Sequence, residues 1–170
     1  MRHITVQITT SCKAIGFSFA SIVSLVKSVC RRFGVEKAIV GVAVVGDAAI
    51  CRLNKQFLNR CRSTDCLSFD LSDDGTKAQR IFELVVNGRR AQRQAKSRGH
   101  SAQAELALYI THALLHNLGF DDSTPEKAAK MHKMEDKILR QAHFGDVYNK
   151  PLRTENKKKR HSQKKSKTKC

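Results

Sequence analysis

Apolar residues along this chain switch between two spacings, and the switches mark out its elements. Residues 3–9 (HITVQIT) alternate apolar and polar, the period of a half-buried strand. Over 17–33, Phe19, Ile22, Val23, Val26 and Val29 recur at helical spacing, with Lys27, Arg31 and Arg32 opposite. AIVGVAVV at 38–45 is an unbroken apolar run, suited to a strand covered on both faces. Asp47 stands where a cap would open a short helix with Ile50, Leu53 and Phe57 as its stripe. CLSF at 66–69 and IFELVV at 81–86 predict two further strands. Long helices follow at about 102–118 and 125–142, the second with Pro125 in its first turn. Four strands, about five helices and no repeat predict an α+β (α/β-like) single domain, with one mixed sheet covered by helices.

Composition changes that picture at one point, near Tyr148. Residues 149–170 carry ten Lys or Arg, one Glu and hardly an apolar side chain. Too little surface is available there to offset the entropy of ordering, so the expected organisation is a folded domain over 1–148 and a disordered basic tail over 149–170. The tail is either a solubilising segment or a contact for RNA phosphates. The whole chain has 32 Lys and Arg against 15 Asp and Glu, a formal charge of +17. A polyanionic partner follows, although an anionic membrane surface would also be attracted.

The cysteines, Cys12, Cys30, Cys51, Cys61, Cys66 and Cys170, form no CxxC pair and are expected as reduced, mostly packed thiols. The apolar stretch 14–26 is broken by Ser18, Ser21 and Ser24 and leads to charge. It reads as neither signal peptide nor membrane span, which makes the cytoplasm the expected location.

Candidate chemistry concentrates in THALLHNLGFDD at 111–122. His112 and His116, four apart on a helix, stack on one face and can meet a single cation. Gly119 sits where a left-handed residue would end the helix and let the chain double back. Asp122 is then the best third ligand, with Asp121 as a possible substitute. Two imidazoles and a carboxylate leave one position open for water, as catalytic zinc sites do. The spacing resembles the metzincin protease helix HExxHxxGxxH, but Ala113 occupies the position of its general-base Glu, which speaks against a peptidase.

Several stretches, taken in order, resemble the YbeY family of bacterial metal-dependent endoribonucleases and ribosomal RNA maturation factors. HALLHNLGFDD is similar to that family's HGxLHLxGYDH, and LNKQF (53–57) with STDCLSF (63–69) to its LNxxF and PTDVLSF. FELVV (82–86), RGHSAQAEL (98–106) and MHKMEDKIL (131–139) resemble the segments expected around them, so the likeness covers roughly 35–142. It implies a single-strand-specific, zinc-dependent endoribonuclease with one Zn2+ per chain. Its implied role is small-subunit ribosomal RNA 3′-end maturation and ribosome quality control, with ribosomal RNA and the small ribosomal subunit as partners. The chain departs from the family pattern in Asp122 for a usual His, Ala113 for Gly, and Leu58 where an arginine commonly stands. Arg60 or Arg62 could serve the same phosphate from a nearby turn. A non-catalytic ribosome-assembly factor is the alternative, supported by Leu58, and a metalloprotease is a distant third.

Other residues carry two readings each. Glu105, on nearly the face of His112, either orients a histidine or stabilises the first turn of its helix. Thr64, Asp65 and Ser68 either line the cleft or cap the strand beside them. Arg89, Arg93 and Lys96 form a basic stripe that is either solvated or docks RNA. His132 is expected to be a bystander. Two Tyr, no Trp and eight Phe offer few evident stacking platforms, so contacts to backbone phosphate are expected.

Overall fold

A computed structural model describes residues 3–12, 15–73 and 79–148; the basic segment 149–170 and Cys170 lie outside them. The elements run β1 (His3–Thr10), α1 (Phe19–Arg32), β2 (Lys37–Val45), α2 (Asp47–Leu58), β3 (Cys66–Asp70), β4 (Arg80–Asn87), α3 (Gly88–Arg98), α4 (Ala102–Asn117) and α5 (Pro125–Gln141). They form one mixed sheet of order β1-β2-β4-β3. β1 and β4 pair with β2 in parallel, and β3 joins β4 antiparallel.

The register explains why the sheet has two unequal faces. Ile4, Val40, Val42, Val44, Phe82, Leu84 and Val86 share the face buried under α1 and α4. The other face is thinner: Ile39, Ala43 and Val45 are only half-buried and Glu83 is exposed. β2 is therefore not covered equally on both faces, as its unbroken apolar run suggested. Small side chains at Gly41 and Ala43 read as apolar while needing little cover. On that face α2 packs against β3 and β4, and its Phe57 lies edge-on against Phe69 with ring centroids 5.1 Å apart.

Helix α4 is buried on nearly every side, from Ala104 through Leu115, and α3 and α5 pack against it. Side-chain caps set its start and those of its neighbours. Ser101, Thr124 and Asn87 accept from the N–H groups of Ala104, Lys127 and Arg90, and Pro125 opens α5.

Asp47 does not cap α2. The cap position is Gly46, without a side-chain hydrogen bond, and Asp47 is the first helical residue. Its carboxylate is claimed by other donors, accepting from Ser63 Oγ, Asn87 Nδ2 and both terminal nitrogens of Arg93. The Arg93 guanidinium and the Asn87 amide hold the Asp47 carboxyl well below the usual carboxylate range. A depressed pKa contributes stability above the unfolded value near 4, and that contribution is lost as pH falls toward the folded value. The urea-midpoint advantage of wild type over Asp47→Asn should therefore shrink below about pH 4. An advantage that stays constant down to about pH 2 would show that the ionised pair does not matter.

The described cysteines, Cys12, Cys30, Cys51, Cys61 and Cys66, are all free thiols. Burial pushes the Cys30 thiol up to about 11. No described helix is long and apolar enough to cross a membrane.

Candidate metal centre

His112 and His116 lie one turn apart on α4, and Gly119 completes the arrangement. At φ 91° it takes the left-handed conformation, with its N–H donating to the His116 carbonyl and that of Phe120 to Leu115. The reversal delivers two oxygens to His116. The Phe120 carbonyl comes within 3.1 Å of its Nδ1, and Asp122 Oδ2 lies 3.8 Å from its Nε2. Asp122 Oδ2 also lies 3.7 Å from His112 Nε2, and the two Nε2 atoms are 3.1 Å apart. His112, His116 and Asp122 are the only such ligand cluster among the described residues. Asp121 points elsewhere, accepting from Ser123 and from Lys127 Nζ at 2.7 Å.

The protonation pattern tests whether a cation belongs between these groups. His112 Nδ1 meets Glu135 Oε1 at 2.7 Å and His116 Nδ1 meets a carbonyl, so both rings carry their proton on Nδ1. Both Nε2 lone pairs then face one point, joined there by a carboxylate oxygen. Three electron-pair donors converging this way repel one another unless a cation, a shared proton or a metal ion, lies between them. Tetrahedral zinc ligands at about 2.0–2.1 Å stand roughly 3.3 Å apart. The triangle of 3.1, 3.7 and 3.8 Å fits that size.

Glu135, on α5, is the residue that organises the site from behind. Its side chain is buried, with Oε1 on His112 and Oε2 on His132 Nδ1 at 2.9 Å. Burial alone would raise its pKa, but the hydrogen bonds from the two histidines hold it below the usual carboxylate range. Burial opposes protonation of His112, yet the bond to Glu135 and its charge outweigh this and make the ring more basic than usual. His132 is thus no bystander. It lines the same cavity, of about 320 Å³, and stacks under Tyr148. A larger cavity of about 680 Å³ opens beside α1 and contains none of these ligands.

Comparison with known proteins now places the chain. The sequence profile of endoribonuclease YbeY matches residues 7–143. The chain belongs to this family. A Myxococcus xanthus relative named endoribonuclease YbeY is 34% identical over 144 residues, which is 81% of this chain and 47% of that protein. A Heliobacterium modesticaldum relative of the same name is 30% identical over 119 residues, 64% of this chain and 72% of that one. The chain thus spans about half the length of the first relative and nearly three quarters of the second. A solution structure of a Thermotoga maritima protein, 20% identical, shares the fold at a TM-score of 0.52, over 82% of this chain and 92% of that one.

Within the YbeY-type fold, the cationic wall of the cavity comes from an unexpected place. Leu58, where the family resemblance implies an arginine, is exposed at the end of α2. Arg60 and Arg62 follow in an exposed loop, where Asn54 Nδ2 donates to the Arg62 carbonyl at 2.7 Å. Neither lines the metal cavity; Arg90, Gln94 and Arg98 of α3 do. Arg89, Arg93 and Lys96 fall on the exposed side of α3, and Arg93 is committed to Asp47. Arg98 pairs with the fully buried Glu105 at 3.1 Å, while Arg90 makes no side-chain hydrogen bond or ion pair with the described residues.

Glu105 lines the cavity too, but the histidine it meets is His100, at 2.9 Å, and not His112. Burial raises its pKa despite Arg98 and His100. Its position in the first turn of α4 puts it about two turns below His112, and Glu135 takes the place beside that ring. Asp65 reaches the cavity, accepting from Thr64 Oγ1, whereas Thr64 and Ser68 are not among its lining residues.

Proposed function

We propose that this chain is a zinc-dependent endoribonuclease that cuts single-stranded RNA, acting on ribosomal RNA of the small subunit in the cytoplasm. The observation that carries this is the convergence of His112, His116 and Asp122 on one point, beside an arginine with no ion-pair partner among the described residues, in a chain of the YbeY family. Bound zinc would supply an electrophile for a phosphoryl oxygen and a water acidified toward neutral pH. The chain's own residues do the rest. Glu135 fixes the tautomer and tilt of His112, and the Phe120 carbonyl does the same for His116.

Arg90 binds the phosphodiester. Asp65, Glu105, Asp122 and Glu135 bring four carboxylates to the cavity, against Arg90, Arg98 and a divalent ion. Without Arg90 the balance turns negative and an incoming phosphate is repelled. Arg98 is already engaged by Glu105, which leaves Arg90 as the clamp for an oxygen whose charge grows in the transition state. The basic segment 149–170 adds long-range attraction for the RNA backbone.

The test is cleavage of a labelled single-stranded ribosomal RNA fragment. Wild type should cut, lose activity in chelator and regain it with zinc; undiminished cleavage by metal-stripped protein would refute the proposal. Arg90→Gln should lower kcat/KM by roughly ten- to a hundredfold, the worth of one charge-assisted hydrogen bond. Zinc content should not change.

A further inference from the structure

The metal cavity has one open aromatic face, and no step described so far uses it. Tyr148 lies flat on the His132 imidazole, with ring centroids 3.6 Å apart and planes 13° from parallel. The imidazole takes one side of the phenol ring, and the residue remains 42% exposed. The hydroxyl makes no hydrogen bond with the described residues, so the ring is not placed by its polar end. Buried tyrosines usually hide the ring and find a partner for the hydroxyl; this one does neither.

The stack is nevertheless held firmly. Val147 is buried, and the Tyr148 N–H donates to Asp136 Oδ1 at 3.1 Å. Below, His132 is oriented by Glu135, whose other oxygen holds the metal-ligand ring of His112. A single buried carboxylate thus fixes the lower ring of the stack relative to the metal centre. Both rings line the same cavity as Arg90 and Asp122.

We infer that Tyr148, backed by His132, is a stacking platform for an unpaired nucleobase next to the phosphodiester held at the metal centre. This rests on the RNA-cleaving function proposed above and adds to it the feature that selects single strands. A flat open ring offers every base a π-face without reading its edge, and stacking of this kind tolerates any sequence. Purines, with more area, stack more strongly. A paired base keeps both faces inside its duplex and cannot reach the ring.

The experiment compares wild type, Tyr148→Ala and Tyr148→Phe, all zinc-loaded and full length. Each is assayed for binding of single-stranded RNA by fluorescence anisotropy and for its cleavage. Tyr148→Ala should lose about ten- to a hundredfold in both affinity and kcat/KM, the range of one base–aromatic stack. Tyr148→Phe should stay within about twofold, because the ring is kept and the hydroxyl has no partner among the described residues. Zinc content and Tm should match wild type, which separates a platform from a structural part. A single abasic residue is then moved along the RNA. At the position facing the ring it should cost wild type the same factor and cost Tyr148→Ala nothing more. Equal binding by wild type and Tyr148→Ala, or losses from the variant and the abasic residue that multiply, would overturn the platform. If wild type binds RNA with the Tyr148 dependence but cuts nothing, the platform stands and the nuclease function falls.

Discussion

His116→Ala is expected to abolish metal-dependent RNA cleavage, lowering kcat/KM by more than about a thousandfold while leaving the fold intact. His116 is one of three donors, and its loss leaves His112 and Asp122 3.7 Å apart with no third atom to close the set. A substitution in the supporting shell of a metal site typically costs ten- to a hundredfold, and removal of a ligand costs more. The fold should tolerate it because the His116 side chain is 30% exposed and, among the described residues, its one hydrogen-bond partner besides the site is the Phe120 carbonyl. The core of α4, from Leu106 to Leu115, is untouched. Thermal unfolding provides the control. Zinc at about a hundred times its Kd should stabilise wild type by about 2.7 kcal/mol. That shift should vanish in the variant, with similar Tm values for the two metal-free proteins. A variant that retained stoichiometric zinc and wild-type turnover would show that the ion lies elsewhere.

The convergence of these three side chains was legible in the sequence because it depends only on local geometry. A helix brings His112 and His116 together, and a glycine with positive φ turns the next three residues back, whatever the rest of the chain does. The extents of α4 and α5 were legible for the same reason: strong periodicity and a proline in the first turn, Pro125, are local. The walls of the cavity are not local. Glu135 meets His112 from 23 positions away because α5 packs on α4, which spacing within one helix cannot reveal.

Helix α3 shows that a charge stripe marks the solvated face of a helix, as one of its two readings had it, and not the residues that border a cavity. Arg89, Arg93 and Lys96 make a clean stripe, but the buried side of the helix is set by Gly88, Ala91 and Ala95. Residues beside it, Arg90, Gln94 and Arg98, therefore border the cavity. The alternation of small residues with long polar ones was the available signal. It outranks charge spacing, because burial decides how a helix rolls before charges find their partners. Asp47 makes the same point, leaving a cap for better donors brought by Asn87 and Arg93.

Glu135→Ala should weaken zinc binding by about ten- to a hundredfold and cost roughly 1–3 kcal/mol of stability in the metal-free protein. The two effects share one cause. The side chain is only 1% exposed and satisfies two ring N–H groups, those of His112 and His132. Truncation leaves both donors in a half-buried pocket without an acceptor, and the carboxylate that makes His112 basic is gone. A less basic ring, free to rotate or change tautomer, is a poorer ligand before any ion arrives. Glu135→Gln separates the contributions. It keeps the volume and one acceptor oxygen, but its NH2 faces one of the two ring N–H groups. One hydrogen bond survives and the charge is lost. Stability should then fall by about half as much as in the alanine variant, while zinc affinity drops nearly as far if charge on His112 dominates. A zinc-competition titration and urea unfolding on the same three proteins read both quantities. Wild-type affinity in Glu135→Ala would mean that α4 and the Gly119 turn alone orient the ligands. An affinity loss in Glu135→Ala with full recovery in Glu135→Gln would assign the role of Glu135 to packing and hydrogen bonding rather than to its charge.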